Sequence, residues 1–193
     1  MWKQTELPVH ADVITSPEVR HQQIATLTGV PTDILPDGRL LFFGCDGGDV
    51  ALATYSKSTH QVNWLGPGSE GQFSPDGPLI LHRGQDGITI QRFPDAGSRV
   101  QISEYGGSQP RWSRDGSQVF YVTGNKEMMC VGFNPSTGQA TASELLFQTR
   151  IVAPALVGFQ YDVAPDGRFL INSLPAALAS LTMLSGWPSR LKN

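Results

Sequence analysis

The sequence predicts an all-β fold, a β-propeller of about four four-stranded blades, and three observations carry that prediction. First, an Asp-Gly pair flanked by apolar, β-branched and aromatic runs occurs four times, at Asp37 and Gly38, Asp76 and Gly77, Asp115 and Gly116, and Asp166 and Gly167. Asp then Gly between alternating runs is a strong hairpin signal, because glycine accepts the positive φ that such turns need. Second, the turns are evenly placed: 39 residues separate Asp37 from Asp76 and Asp76 from Asp115, and 51 separate Asp115 from Asp166. The shorter interval is the length of one propeller blade. Third, Gly and Pro number 21 and 14 while charged residues make up only 16%, as befits many short strands joined by tight turns.

Met1 to Arg20 reads as a leftover strand or a tail, with Pro8 and Pro17 as breakers. His21 to Leu27 stands where the fourth strand of a preceding unit belongs. In each repeat a strand enters the turn and a second leaves it, at Leu40 to Phe43, Leu79 to Leu81, Val119 to Val122 and Phe169 to Asn172. Third strands begin near Val50, Ile88, Met128 and Ser180, and fourth strands lie at Gln61 to Leu65, Arg99 to Ser103 and Ser143 to Phe147. The expected units are a tail with a candidate closing strand (1–31), then blades at 32–66, 67–105, 106–158 and 159–193. The last unit lacks a strand after Leu184. If His21 to Leu27 docks beside Leu181 to Leu184, four blades close into a small ring; otherwise the chain is a partial propeller. An open edge invites pairing, so a homodimer through it is the further alternative.

The longer third interval has two sources, a wide loop at Asn134 to Ala142 and an insertion at Thr149 to Gly158. The insertion and its end carry Ile151, Val152, Leu156 and Phe159, which is apolar for a loop. It either folds back over the blade edge or forms a contact surface.

Composition excludes several functions. A formal charge of −3 and a pI near 5.7 do not supply the cationic surplus that grips phosphates, so no nucleic-acid partner is expected. No run of about 20 apolar residues appears, so no direct membrane insertion is expected. Cys45 and Cys130 fall in different repeats and are expected to be free thiols. His10, His21, His60 and His82 are scattered, with no HExxH pair, so neither a metal nor another cofactor is expected. Ser98, Ser108 and Ser185 lie near glycines but not in a Gly-x-Ser-x-Gly elbow. The acidic loops at Asp46 to Asp49 and at Asp86 and Gly87 offer too few oxygens in line for calcium and read as turns. The chain is therefore expected not to be an enzyme.

The strand before each turn lines the channel of a propeller. Four residues ahead of each turn aspartate stand Asp33, Gln72, Arg111 and Asp162, and each is followed by an apolar residue, Ile34, Phe73, Trp112 or Val163. Period-two alternation puts the polar set on one face. The resulting ring either binds a small polar ligand or peptide end, with Arg111 offered to a carboxylate, or its members satisfy one another across the channel. Trp112 reads as a packing wedge between blades.

Taken in order, the motifs SPDG and its variants, QISEYGGSQPRWSRDGSQVFYV, LLFQTRI, QYDVAPDGRFLIN and WPSRLK resemble TolB-like propeller repeats. More closely, Pro31 to Lys192 resembles the C-terminal propeller attached to many bacterial serine/threonine protein kinases. That resemblance implies a longer propeller of six or more blades, of which this chain is the C-terminal part, and a periplasmic or extracytoplasmic site; without it the compartment stays open, the cytoplasm included. The kinase glycine-rich loop, HRD segment and DFG metal ligand do not occur here, so kinase activity does not transfer. The expected function is a noncatalytic module binding a protein, peptide or small ligand. The alternative is the accessory sensor domain of a kinase encoded upstream, or a fragment of a larger propeller.

Overall fold

Four turns of one design set the repeat. In a computed structural model, which describes residues 9–13, 22–27, 29–94, 97–152 and 158–173, the amides of Gly38, Gly77, Gly116 and Gly167 donate to the carbonyls of Leu35, Ser74, Ser113 and Ala164 at 2.8–3.0 Å. All four glycines have φ between 71° and 93°, the left-handed region that a β-carbon disfavours. The aspartate before each glycine explains why this residue type recurs. Asp37, Asp115 and Asp166 accept, through Oδ1, the amides of Arg39, Ser117 and Arg168 two residues on, so the side chain closes the turn itself. Pro78 stands at that place after Asp76 and has no amide to give. There Ser74 Oγ accepts from Leu79 N at 3.0 Å.

Around these turns the chain is all-β, with no helix among the described residues. A hairpin of β1 (Val9–Val13) and β2 (Gln22–Leu27) comes first. The first complete blade is the antiparallel meander β3 (Val30–Ile34), β4 (Leu40–Asp46), β5 (Asp49–Ser56) and β6 (Gln61–Pro67). The second is β7 (Ser69–Phe73), β8 (Leu79–Arg83), β9 (Ile88–Arg92) and β10 (Arg99–Gln101). The third is β11 (Ser108–Trp112), β12 (Gln118–Val122) and β13 (Glu127–Asn134), whose outer edge is shared by β14 (Gln139–Ala140) and β15 (Glu144–Gln148). A hairpin of β16 (Tyr161–Val163) and β17 (Phe169–Ile171) begins a fourth. This is the architecture of a partial propeller.

Two expectations change. The wide loop at Asn134 to Ala142 is not irregular throughout, because β14 folds back on β13. The strand expected at His21 to Leu27 is present as β2, but among the described residues it pairs with β1, Val9 opposite Leu27. Its expected partner, Leu181 to Leu184, and the strand expected near Ser180 lie outside the described residues.

Period-two alternation gives each blade two apolar faces, and the core is the set of seams between them. Leu41 and Leu52 of the first blade meet Phe73, Ile80 and Phe93 of the second. Leu81, Ile88 and Ile90 of the second meet Trp112, Val119 and Val131 of the third. Phe120, Val122 and Met128 of the third meet Tyr161 and Phe169 of the fourth. Each such side chain withdrawn from water contributes about 1.5–3 kcal/mol. Trp112 is a wedge in this sense, buried in the second seam with its ring edge-on to Phe133 at 5.6 Å.

Candidate functional site

The inner strands β3, β7 and β11 are each bulged: their register slips between Pro31 and Asp33, Ser69 and Gln72, and Ser108 and Arg111. Glu70 and Gln109 sit in the second and third bulges with φ of 54° and 55°. A bulge frees one amide from the ladder and re-aims the neighbouring side chains, and here those side chains reach sideways to the next blade. Asp33 Oδ2 accepts the Phe73 amide at 2.8 Å, and Gln72 Oε1 accepts the Trp112 amide at 2.9 Å. One tier along, Glu70 Oε2 accepts the Gln109 amide at 2.5 Å, and Gln109 Oε1 accepts the Gln160 amide at 2.6 Å. Each bond joins residues 39 to 51 positions apart. The channel polar groups therefore clasp successive blades together.

This corrects the expectation that the ring residues satisfy one another across the channel. Asp33 and Gln72 turn to backbone amides instead, because β7 and β11 are edge strands of their sheets, and an edge strand leaves alternate amides without a ladder partner. Only Arg111 and Asp162 face each other, at a long 3.9 Å. Arg111 has no acceptor to offer the next blade; its guanidinium lies over the Phe159 ring at 3.7 Å, a cation–π contact. The Val163 amide, left without an inter-blade partner, is taken by Asp162 Oδ1 of its own strand at 3.0 Å. Asp162 is otherwise open, its side chain 72% exposed. Burial raises the Asp33 carboxyl above its usual value, against the amides of Phe73 and Ile34 and the charge of Arg111.

Three of the four predicted residues, Asp33, Gln72 and Asp162, converge on one cleft of about 360 Å³ at the turn end of the channel. Trp112 and the turn residues Pro36, Pro75, Arg114 and Pro165 complete its wall. Arg111 is not part of that wall. Arg114 was missed, although its signal was in the sequence: the three sister turns carry proline before the aspartate, and this one carries arginine. Two larger grooves, of about 480 Å³, run between neighbouring turns. Prolines and turn residues line most of both, and the convergent polar groups are in the smaller cleft.

Of the four apolar residues noted at the insertion, three lie among the described residues. Ile151 is buried in the seam between the third and fourth blades, and Phe159 lies under Arg111. Val152 is exposed, and Leu156 lies outside the described residues. His60 Nδ1 is bonded with the Tyr55 hydroxyl at 2.9 Å. Cys45 is exposed and Cys130 buried, both unpaired.

No family model matches the sequence, and no curated protein matches it. Solved structures do match in fold. TolB from Acinetobacter baumannii is 20% identical with a TM-score of 0.54, over 78% of this chain and 44% of that one. A TolB described as putative, from Agrobacterium tumefaciens, is 20% identical with a TM-score of 0.51, over 64% of this chain and 50% of that one. The fold is thus that of a TolB-like propeller, and the chain spans about half the length of these two structures.

Proposed function

We propose that the chain is a noncatalytic binding module that holds a protein or peptide segment at the channel mouth. One observation carries this reading: Asp33, Gln72, Arg114 and Asp162 line, together with Trp112, a single open cleft. Two of these groups are already committed to backbone amides, so they act as fixed walls rather than as proton carriers. Asp162 is the accessible acceptor for a peptide amine or basic side chain, and Arg114 the donor for a carboxylate. Peptides selected from a random display library on the purified chain test this. Asp162→Ala and Arg114→Ala are each expected to weaken a selected peptide by about tenfold, whereas Glu144→Ala, on the outer edge, leaves it unchanged. Peptides insensitive to both substitutions overturn the reading.

A second reading, an accessory sensor domain of a serine/threonine protein kinase, is favoured by the ordered motifs from Pro31 to Lys192. An open reading frame that continues upstream into kinase motifs supports it, and an in-frame stop before Met1 overturns it.

A further inference from the structure

At the end of the second blade away from the turn cleft lies a smaller cavity of about 300 Å³, lined in part by His82, Asp86, Thr89, Arg99 and Gln101. Register brings three of these into one row. His82 stands opposite Thr89, and Thr89 opposite Gln101, so all three leave the sheet on the same face. Ile80, two residues before His82, packs in the seam with the first blade, so the row faces that blade.

His82 is only 2% exposed, yet neither ring nitrogen has a hydrogen-bond partner. The Arg83 backbone and the Gln91 side chain lie close enough to act on it without making a bond of good geometry. Gly68 leaves the ring its space, since a β-carbon there would lie 2.7 Å from His82 Nδ1. Burial pushes the imidazole pKa down and the nearby Arg99 charge adds to this, so at neutral pH the ring carries one N–H donor and one bare nitrogen. Leaving such a group unmet in a fold is costly.

The neighbours are sorted by chemistry. Arg99 spends Nη2 on the Leu65 carbonyl at 3.3 Å and keeps other donors of its planar fork. Gln101 spends its amide nitrogen on the Ser103 carbonyl at 2.9 Å, which leaves its amide oxygen as an acceptor, and Asp86 lines the same cavity. The wall thus offers donors from Arg99 and acceptors from Asp86 and Gln101, with the His82 ring beside them. We propose that this cavity binds a small carboxylate with an amino or hydroxyl group beside it, the carboxylate held by Arg99 next to the His82 ring and the neighbouring donor by Asp86 and Gln101. The volume sits at the lower limit of small-molecule sites, which fits a ligand of this size. The proposal uses none of the channel residues.

Protein carrying ¹³C-labelled histidine, titrated with glycine, glycolate and acetate while the His82 ring signals are followed by NMR, provides the test. Glycine or glycolate is expected to move those signals saturably, and whichever binds tighter identifies the donor as an amine or a hydroxyl. Acetate is expected to bind several-fold more weakly. Arg99→Gln should lose about tenfold in affinity, Arg99→Lys less, and Glu144→Ala nothing. If no ligand moves the His82 signals at about 50 mM, well above the affinity of even a weak site, the proposal fails. It fails equally if Arg99→Gln binds like the parent chain, and acetate binding as tightly as the other two removes the role given to Asp86 and Gln101.

Discussion

Replacing Gln72 by leucine isolates one inter-blade clasp. The side chain keeps about the same bulk but loses Oε1, and the Trp112 amide that donates to it at 2.9 Å belongs to a residue only 5% exposed. The amide is left without its protein acceptor at a part-buried position, and the cost is that of an unmet amide, about 1–3 kcal/mol. Gln72 is itself half-buried, and leucine gains little from burial there. For a chain of this size each kcal/mol is about 2–4 °C in Tm, so the midpoint should fall by roughly 2–12 °C. Urea unfolding followed by tryptophan fluorescence gives the free energy, and hydrogen exchange at the Trp112 amide gives the local effect. Gln72→Glu retains an acceptor oxygen and should stay close to the parent. The clasp argument is refuted if Gln72→Leu costs less than about 0.5 kcal/mol, the size of an ordinary surface change, or if Gln72→Glu is destabilised as much as Gln72→Leu.

Three further outcomes are expected. Gly116→Ala, at φ 71°, should cost about 1–2 kcal/mol, whereas Gly124→Ala, with nothing within 4 Å of its β-carbon, should be neutral or stabilising by up to about 1 kcal/mol; paired thermal melts check both. Hydrogen bonds from Ser113 and Ser117 lower the Asp115 carboxyl from 3.8 to about 2, so its contribution is present above pH 3.8 and is lost as pH falls toward 2. Asp115→Ala should accordingly be less stable than the parent at pH 6, with the two acid-unfolding curves converging near pH 2. A thiol reagent should modify exposed Cys45 in the folded chain, while Cys130, buried and with its thiol pKa raised mainly by that burial, should react only after denaturant is added; mass spectrometry of the labelled peptides distinguishes them.

Strands and turns were legible because their signals are local. A glycine in the left-handed region and an aspartate that closes its own turn mark each hairpin wherever they occur, as at Asp37 and Asp115. Alignment on those turns also picked out the channel positions Asp33, Gln72, Arg111 and Asp162. What they bond to was not legible, since the partners are backbone amides of Phe73 and Trp112, and an amide leaves no trace in a residue's identity. The bulges at Glu70 and Gln109 were hidden for a related reason: both take positive φ without being glycine. His82 passed as one of four scattered histidines because its neighbours Thr89, Arg99 and Gln101 come from two other strands. Ile151 fell in an insertion whose two readings stayed open, because the seam that buries it is made with residues distant in sequence.

The clasps bear on how such a chain changes in length over generations. The second blade carries both halves of the device: Phe73 supplies an amide to the blade before it, and Gln72, its immediate neighbour, supplies an acceptor to the blade after it. A duplicated copy of that unit arrives with its joints already fitted on both sides, so a gene can gain or lose a blade without rewriting any other. Arg111 interrupts the device in its own tier alone, because a guanidinium accepts no amide; one tier along, Gln109 still takes the Gln160 amide of the hairpin that follows.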